Sequence, residues 1–223
     1  MEEILSRVLK KVIPTEKERR SIETAVKKIE DAVEKTIKPL GLSYTFAGSF
    51  LRDTWLPNKK EFDVFILFPE NYPREKLESE GLKIGKKIMK ILDGTYKIAY
   101  AEHPYVRGTF GEYSVDIVPC YAVKSATQIK SAVDRTPFHN RWLLKNFSPE
   151  MSDEVRLFKQ FCKANGIYGS DAKTEGLSGY LCELLIVKYK TFQNLIKAVS
   201  KWEPGRVFID LEGYHKELSL IHI

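Results

Sequence analysis

Apolar residues early in the chain recur at the spacing of one helical face: Ile22, Ala25, Val26, Ile29, Ala32, Val33 and Ile37, which predicts an amphipathic helix. Thr15, with Glu18 three residues on, marks its start as a reciprocal cap of backbone N–H groups. Lys38-Pro39-Leu40-Gly41 marks its end. The period then changes. Ser43 to Ala47 reads as a short strand, Gly48-Ser49 as a turn, and Phe50 to Trp55 as a short helix. The segment Glu61 to Phe68 opens on two carboxylates and continues as the apolar run Val64-Phe65-Ile66-Leu67-Phe68, which suits a strand buried on both sides. A helix over roughly 73–92 follows, with Leu77, Ile84, Ile88, Ile91 and Leu92 as its core side. Asp93-Gly94 then turns the chain into strand-like segments at 95–101, 105–110 and 113–118. From Lys130 onward the pattern is mostly helical. Ser152 reads as the cap of a helix ending at Asn165-Gly166, Ser178 opens an apolar helix through Tyr189, and Thr191 caps another to about Trp202. The expected fold class is α+β, a mixed sheet with flanking helices over 1–128 followed by a mostly helical domain over 129–223.

Composition narrows the setting without naming a function. Of 223 residues, 43% are hydrophobic, enough for a real core, and 30% are charged, with a mean hydropathy of −0.30. No apolar run approaches the ~20 residues of a membrane-spanning helix, and Met1-Glu2-Glu3-Ile4 lacks a signal-peptide pattern. Cys120, Cys162 and Cys182 are odd in number, far apart and set among apolar residues. They read as reduced core thiols of a cytoplasmic protein. His103, His139, His215 and His222 show no zinc-type spacing with them. A net charge of +6 and a pI near 9.0 admit a polyanionic partner but do not identify one.

The chemistry concentrates in the middle of the first half. Glu61 and Asp63, one residue apart on a strand, point to the same face. At the mouth of an apolar strand such a pair costs desolvation energy unless something cationic sits there. Magnesium, which prefers oxygen ligands and accompanies nucleoside triphosphates, is the natural candidate. Asp116 is a lone charge within the second strand pattern Tyr113-Ser114-Val115-Asp116-Ile117-Val118. Three convergent carboxylates suit two-metal phosphoryl transfer, and one of them can take a hydroxyl proton. Gly48-Ser49 before a helix lets the backbone approach phosphate, Ser49 adds a hydroxyl, and Arg52 stands about one turn on. Each feature alone has a plainer reading, as a glycine turn with a serine cap or as solvated carboxylates on an edge strand. Their conjunction favours a nucleotide site. The basic groups Arg7, Lys10 and Lys11, and Lys83, Lys86, Lys87 and Lys90, read as solvated helix faces. Leu181, Leu184, Leu185 and Val187 read as core.

Gly48-Ser49, Arg52, Thr54, Glu61-Phe62-Asp63-Val64 and Asp116 together resemble the nucleotidyltransferase superfamily that includes DNA polymerase beta. A closer resemblance is to the archaeal (class I) CCA-adding tRNA nucleotidyltransferases. It rests on Ala101-Glu102-His103-Pro104-Tyr105, the run from Val115 to Tyr121, the run from Ser131 to His139, Glu154-Val155-Arg156-Leu157, the run from Lys163 to Gly169, and Ser178 to Leu185. The resemblance reaches to about Asp210. It implies a nucleotidyltransferase-type sheet and transfer of CMP and AMP from CTP and ATP to a tRNA 3′ end. By resemblance Glu61, Asp63 and Asp116 bind Mg2+, Gly48, Ser49 and Arg52 meet the triphosphate, and Thr136, His139, Lys159 and Tyr168 form a second wall of the nucleotide pocket. Archaeal family members are longer, and a base-reading arginine motif expected beyond Asp210 has no counterpart. The run from Tyr214 to Ile223 does not resemble the expected continuation. A homodimer or a separate C-terminal segment would then supply what is missing. Two rival readings stay open: a short nucleotidyltransferase with a different acceptor, and a catalytically silent nucleotide- or RNA-binding half that needs a partner chain.

Overall fold

Thr15 and Glu18 form the reciprocal cap that their spacing predicts. The Glu18 N–H donates to Thr15 Oγ1 at 3.2 Å, and the Thr15 N–H donates to Glu18 Oε2 at 2.8 Å. In the computed structural model, which describes residues 2–58, 60–203 and 205–213, the chain divides into two units. One is Ile13–Asn146; the other joins Met1–Val12 to Phe147–Ile223. The run 214–223 that the sequence sets apart lies outside the described residues.

The first unit is built on a five-stranded mixed sheet. Its strands are β1 (Ser43–Ala47), β2 (Glu61–Phe68), β3 (Thr95–Tyr100), β4 (Pro104–Phe110) and β5 (Tyr113–Tyr121), in the order β1-β2-β5-β4-β3. β2 and β5 run parallel at the centre, and the other pairs are antiparallel. The central position explains the unbroken apolar run of β2, since both of its faces are covered. One face, with Phe62, Val64, Ile66, Val106, Val115 and Ile117, packs on α2 (Glu16–Ile37) and α3 (Arg74–Ile91). On α3, Leu77, Ile84 and Ile88 are buried as expected. Ile91 is instead exposed, and Met89 takes a place in the core. Two glycines let α3 approach the sheet closely: a Cβ on Gly81 would lie 2.6 Å from Pro119 Cβ, and one on Gly85 2.7 Å from Val106 Cβ. Alanine at either position is therefore expected to destabilise the unit by about 1–2 kcal/mol. The overlap with rigid or branched side chains outweighs the ~1 kcal/mol gained in helix propensity. Urea denaturation of the two variants checks the sign.

The opposite face of the sheet carries a small apolar cluster of Ala47, Phe65, Tyr105, Val118 and Cys120, with Val133 packed on it. This cluster explains where the unit ends. A boundary at 128/129 was the expectation; the observed division falls at 146/147. The buried Asp134 carboxylate accepts from the backbone N–H groups of Tyr121, Lys130 and Ser131 at 2.9, 3.1 and 2.8 Å. The next helix, α4 (Arg135–Asn146), is pinned through Asn140 Nδ2, which donates to Phe46 O at 3.1 Å. A composition shift near 124–134 marks a change of secondary structure, and these bonds keep α4 with the sheet.

The second unit is helical: α1 (Glu2–Val12), α5 (Met151–Ala164), α6 (Gly179–Tyr189) and α7 (Phe192–Val199). α1 packs on α5, and α5, α6 and α7 pack on one another. Ser178 and Thr191 are the N-caps expected of them, accepting from Leu181 N–H and Asn194 N–H, each at 3.1 Å. Ser152 is not a cap. α5 begins at Met151 with Glu150 at the cap position, two residues before Ser152, which is buried inside it. All three cysteines are buried and free. No helix among the described residues is long and apolar enough to cross a membrane.

Candidate nucleotide and metal site

β1 delivers the chain to Gly48, whose φ of 100° lies where only glycine is comfortable. The position also lacks room for a side chain, because a Cβ there would stand 3.1 Å from Asp63 Oδ2. The turn after β1 therefore abuts the carboxylate of the neighbouring strand. The expected helix over Phe50 to Trp55 is a four-residue 3-10 turn, Ser49–Arg52. It is too short to contribute a useful helix dipole, so close backbone approach and two side chains are what remain for an anion. Ser49 is 7% exposed, and its Oγ has no hydrogen-bond partner among the described residues. A buried hydroxyl without a partner is uncommon and invites a ligand. Arg52 is buried, and its Nη1 donates to Asn140 Oδ1 at 2.5 Å.

Strand register brings the carboxylates to one face. Asp63 on β2 is paired with Asp116 on β5, and Glu61 stands two residues before Asp63, opposite Ser114. Glu61 is exposed, while Asp63 and Asp116 are half-buried. Convergence stops at that level, for among the described residues no three acidic, histidine or cysteine side chains close on a point that could hold an ion. Asp116 faces Arg107, its register partner on β4. Arg107 Nε donates to Asp116 Oδ1 at 2.8 Å and Nη2 to Oδ2 at 2.6 Å, a two-pronged pair. Asp116 raises the Arg107 pKa. Burial, and then the Asp116 charge, push the Tyr105 phenol up. The donor set is nonetheless one a hard divalent cation accepts: carboxylate oxygens at neighbouring register positions, beside the Gly48-Ser49 turn.

The other expected residues fall on two elements. Thr136 and His139 lie one turn apart on α4. Partial desolvation, and then the like charge of Arg135, lower the His139 pKa. A folded-state value below the free value of about 6.5 means that the folded chain binds fewer protons between the two. The associated stability is present above about pH 6.5 and is lost as pH falls through that window. His139→Gln is expected to flatten this part of the stability profile in urea titrations between pH 7.5 and 5. The effect is small because the residue as a whole is exposed and its desolvation only partial.

Lys159 and Tyr168 belong to the helical unit. A Cβ on Gly179, the first residue of α6, would lie 3.0 Å from Tyr168 Oη and 3.7 Å from Lys159 Cε, so the two side chains end side by side. Lys159 is buried, and its Nζ lies 3.4 Å from Glu183 Oε1, itself buried. Sequence reading missed Arg107 and Asn140. The alternation of β4 places Arg107 on the face of Tyr105, but only strand order reveals Asp116 opposite it. Nothing in the sequence marks Asn140.

A model of the nucleotidyltransferase domain matches residues 26–139, and one of the second domain of tRNA nucleotidyltransferase matches 153–222. The chain is 48% identical over 211 residues to the CCA-adding enzyme of Archaeoglobus fulgidus, covering 95% of this chain and 46% of that protein. It is 44% identical over 218 residues to the CCA-adding enzyme of Halobacterium salinarum, covering 97% and 47%. For that of Methanocaldococcus jannaschii the identity is 41% over 226 residues, covering 99% and 50%. The chain thus spans about half the length of these relatives. Two solved structures share the fold at 15% identity: CdnC of E. coli MS115-1 with ATP (TM-score 0.65, 95% of this chain and 75% of that one) and the Cid1 poly(U) polymerase with Mg and 3′-dATP (TM-score 0.61, 84% and 54%).

Proposed function

Because the chain belongs to the nucleotidyltransferase family, we propose that it is the catalytic portion of a CCA-adding tRNA nucleotidyltransferase, transferring CMP and AMP from CTP and ATP to a tRNA 3′ end. The observation that carries the reading is the Gly48-Ser49-Arg52 turn set against Asp63, with Asp116 beside it in register. The likeness to archaeal CCA-adding enzymes over nearly the whole chain supports the choice of substrate.

The family works in general with a divalent cation, and the oxygen-only donor set favours Mg2+. Glu61, Asp63 and Asp116 would hold it, with Arg107 yielding at least one Asp116 oxygen. When bound, the ion polarises the α-phosphate and makes the attacking hydroxyl more acidic. The backbone at Gly48, the Ser49 hydroxyl and the Arg52 guanidinium bind the triphosphate and hold the β- and γ-phosphates as they depart. The tRNA 3′ oxygen forms its bond to the α-phosphorus while the bond to the bridging β-phosphate oxygen breaks, and pyrophosphate leaves. The hydroxyl proton passes to a carboxylate of the acidic face. Catalysis comes mainly from positioning and charge stabilisation. Thr136, His139, Lys159 and Tyr168 are assigned to the nucleotide. The share of the relatives' length that this chain does not span is where we place further tRNA contacts, in a C-terminal segment or a second copy. The buried free cysteines suit the reducing cytoplasm.

Acceptor choice tests the reading. With Mg2+ and ATP, tRNA ending in CC should be extended by one adenylate far faster than an unrelated RNA of equal length. Equal rates on both would point to a nucleotidyltransferase with a different acceptor.

A further inference from the structure

A single guanidinium holds both oxygens of Asp116. Arg107 Nε donates to Oδ1 at 2.8 Å and Nη2 to Oδ2 at 2.6 Å. The same Nη2 donates to Tyr105 Oη at 2.8 Å, and the guanidinium carbon lies 5.6 Å from the centre of the Tyr105 ring. Tyr105 is itself buried in the apolar cluster on this face of the sheet. Arg107 is thus fastened at two points, to a carboxylate and to a fixed phenol.

The pair is well aligned yet open to water: the Arg107 side chain is 47% exposed and that of Asp116 18%. Solvent can take up the guanidinium as it leaves, so parting the two costs little. The buried Lys159 has no such freedom, because its departure would strand Glu183. Arg107 also stands where negative charge gathers. Asp63 is the register partner of Asp116, and the Glu61 charge acts on Arg107 as well. A guanidinium and a divalent cation compete for the same carboxylate oxygens, the one with a planar fork of donors and the other with twice the charge. We infer that Arg107 is a counter-ion built into the site, which a divalent cation must displace from Asp116, and that Tyr105 keeps the freed guanidinium at this face. The idle site then holds a bare ion weakly. This inference rests on the reading of Asp116 as an ion ligand.

The test titrates Mn2+ without nucleotide, followed by electron paramagnetic resonance, into the full chain and into Arg107→Gln, Arg107→Lys and Asp116→Asn. Arg107→Gln should bind Mn2+ about 10-fold more tightly than the parent, as removal of a hydrogen-bonded charged competitor implies. Arg107→Lys keeps the charge and loses the fork. It too should bind more tightly than the parent, whereas a general effect of charge on the field would leave its affinity unchanged. Adding Arg107→Gln to Asp116→Asn should bring no further gain, because the two residues act as one unit. In the parent, Mg2+ should free Arg107, read by NMR as greater mobility of its Nε–H. This arm needs no variant and holds even where a substitution fails to fold. Arg107→Gln and Arg107→Lys binding Mn2+ no more tightly than the parent, or an Arg107 Nε–H unchanged at saturating Mg2+, would overturn the proposal. Parent binding that Asp116→Asn leaves untouched would instead remove Asp116 as an ion ligand, and the proposal with it.

Discussion

Asp63→Asn is expected to lower nucleotide addition by about 10³-fold or more and to leave a cooperative unfolding transition close to that of the parent chain. Asparagine keeps the shape, so packing against the Gly48 turn survives. What goes is a negative charge at the position where the turn, β2 and β5 meet. Losing a single preorganised donor from a site of this kind costs about 10²–10³ in rate. An anionic ligand of the cation should cost at least as much, because triphosphate alignment depends on it. Single-turnover rates with labelled CTP, alongside thermal denaturation, provide the check. A folded variant with more than a tenth of the parent rate would remove Asp63 from the chemistry. Loss of the folding transition would make it a structural residue instead.

Lys159→Ala is expected to destabilise the helical unit by about 3–5 kcal/mol, because it leaves Glu183 as a buried charge without its ammonium partner. Both side chains are 2% exposed, so water cannot make good the loss. Replacing both partners, as Lys159→Met with Glu183→Leu, should restore most of the stability, since a buried ion pair contributes little net against well-packed apolar groups. The double variant also separates two roles of the lysine. If Lys159 serves only the core, the double variant regains nucleotide addition along with its fold. If it also meets the nucleotide, as proposed, the fold returns and the activity does not. Urea denaturation and addition rates on the same three proteins distinguish these results.

Much of the fold was legible because it is written in local patterns. The capping box at Thr15, the N-caps at Ser178 and Thr191 and the apolar run of β2 each depend on residues within a turn or two of one another. Local patterns failed at Ser152, which lies inside α5, and over Phe50 to Trp55, where the helix is a 3-10 turn; elsewhere distant contacts decide. The helical period says nothing of Gly81 and Gly85, whose place in α3 is explained by the sheet lying against them. Ile91 fits the helical period yet faces solvent, while Met89 fills the space beside Gly94 and Gly108. The division of the chain at 146/147 depends on Asp134 and Asn140, which bind α4 and its approach to the sheet through side chain to backbone bonds that no composition shift records.

For the site, period two sets Glu61 and Asp63 on one face of β2, and the parallel pairing, which the sequence does not show, sets Asp116 opposite Asp63. The two-pronged grip of Arg107 on Asp116 could not be read, since it depends on β4 lying beside β5. The amide beneath Arg52 was equally hidden, because 88 residues separate the pair. Sequence spacing finds groups that share an element. Groups that hold one another across elements emerge only from topology.

The most direct test is to incubate the purified chain with Mg2+, CTP, ATP and tRNA lacking its terminal CCA, and to sequence the products. Ordered growth by C, C and A that stops after three residues, and that is abolished by removal of the divalent ion, is the expected result. Binding of nucleotide without any extension of the tRNA would contradict the assignment of this chain as a catalytic unit.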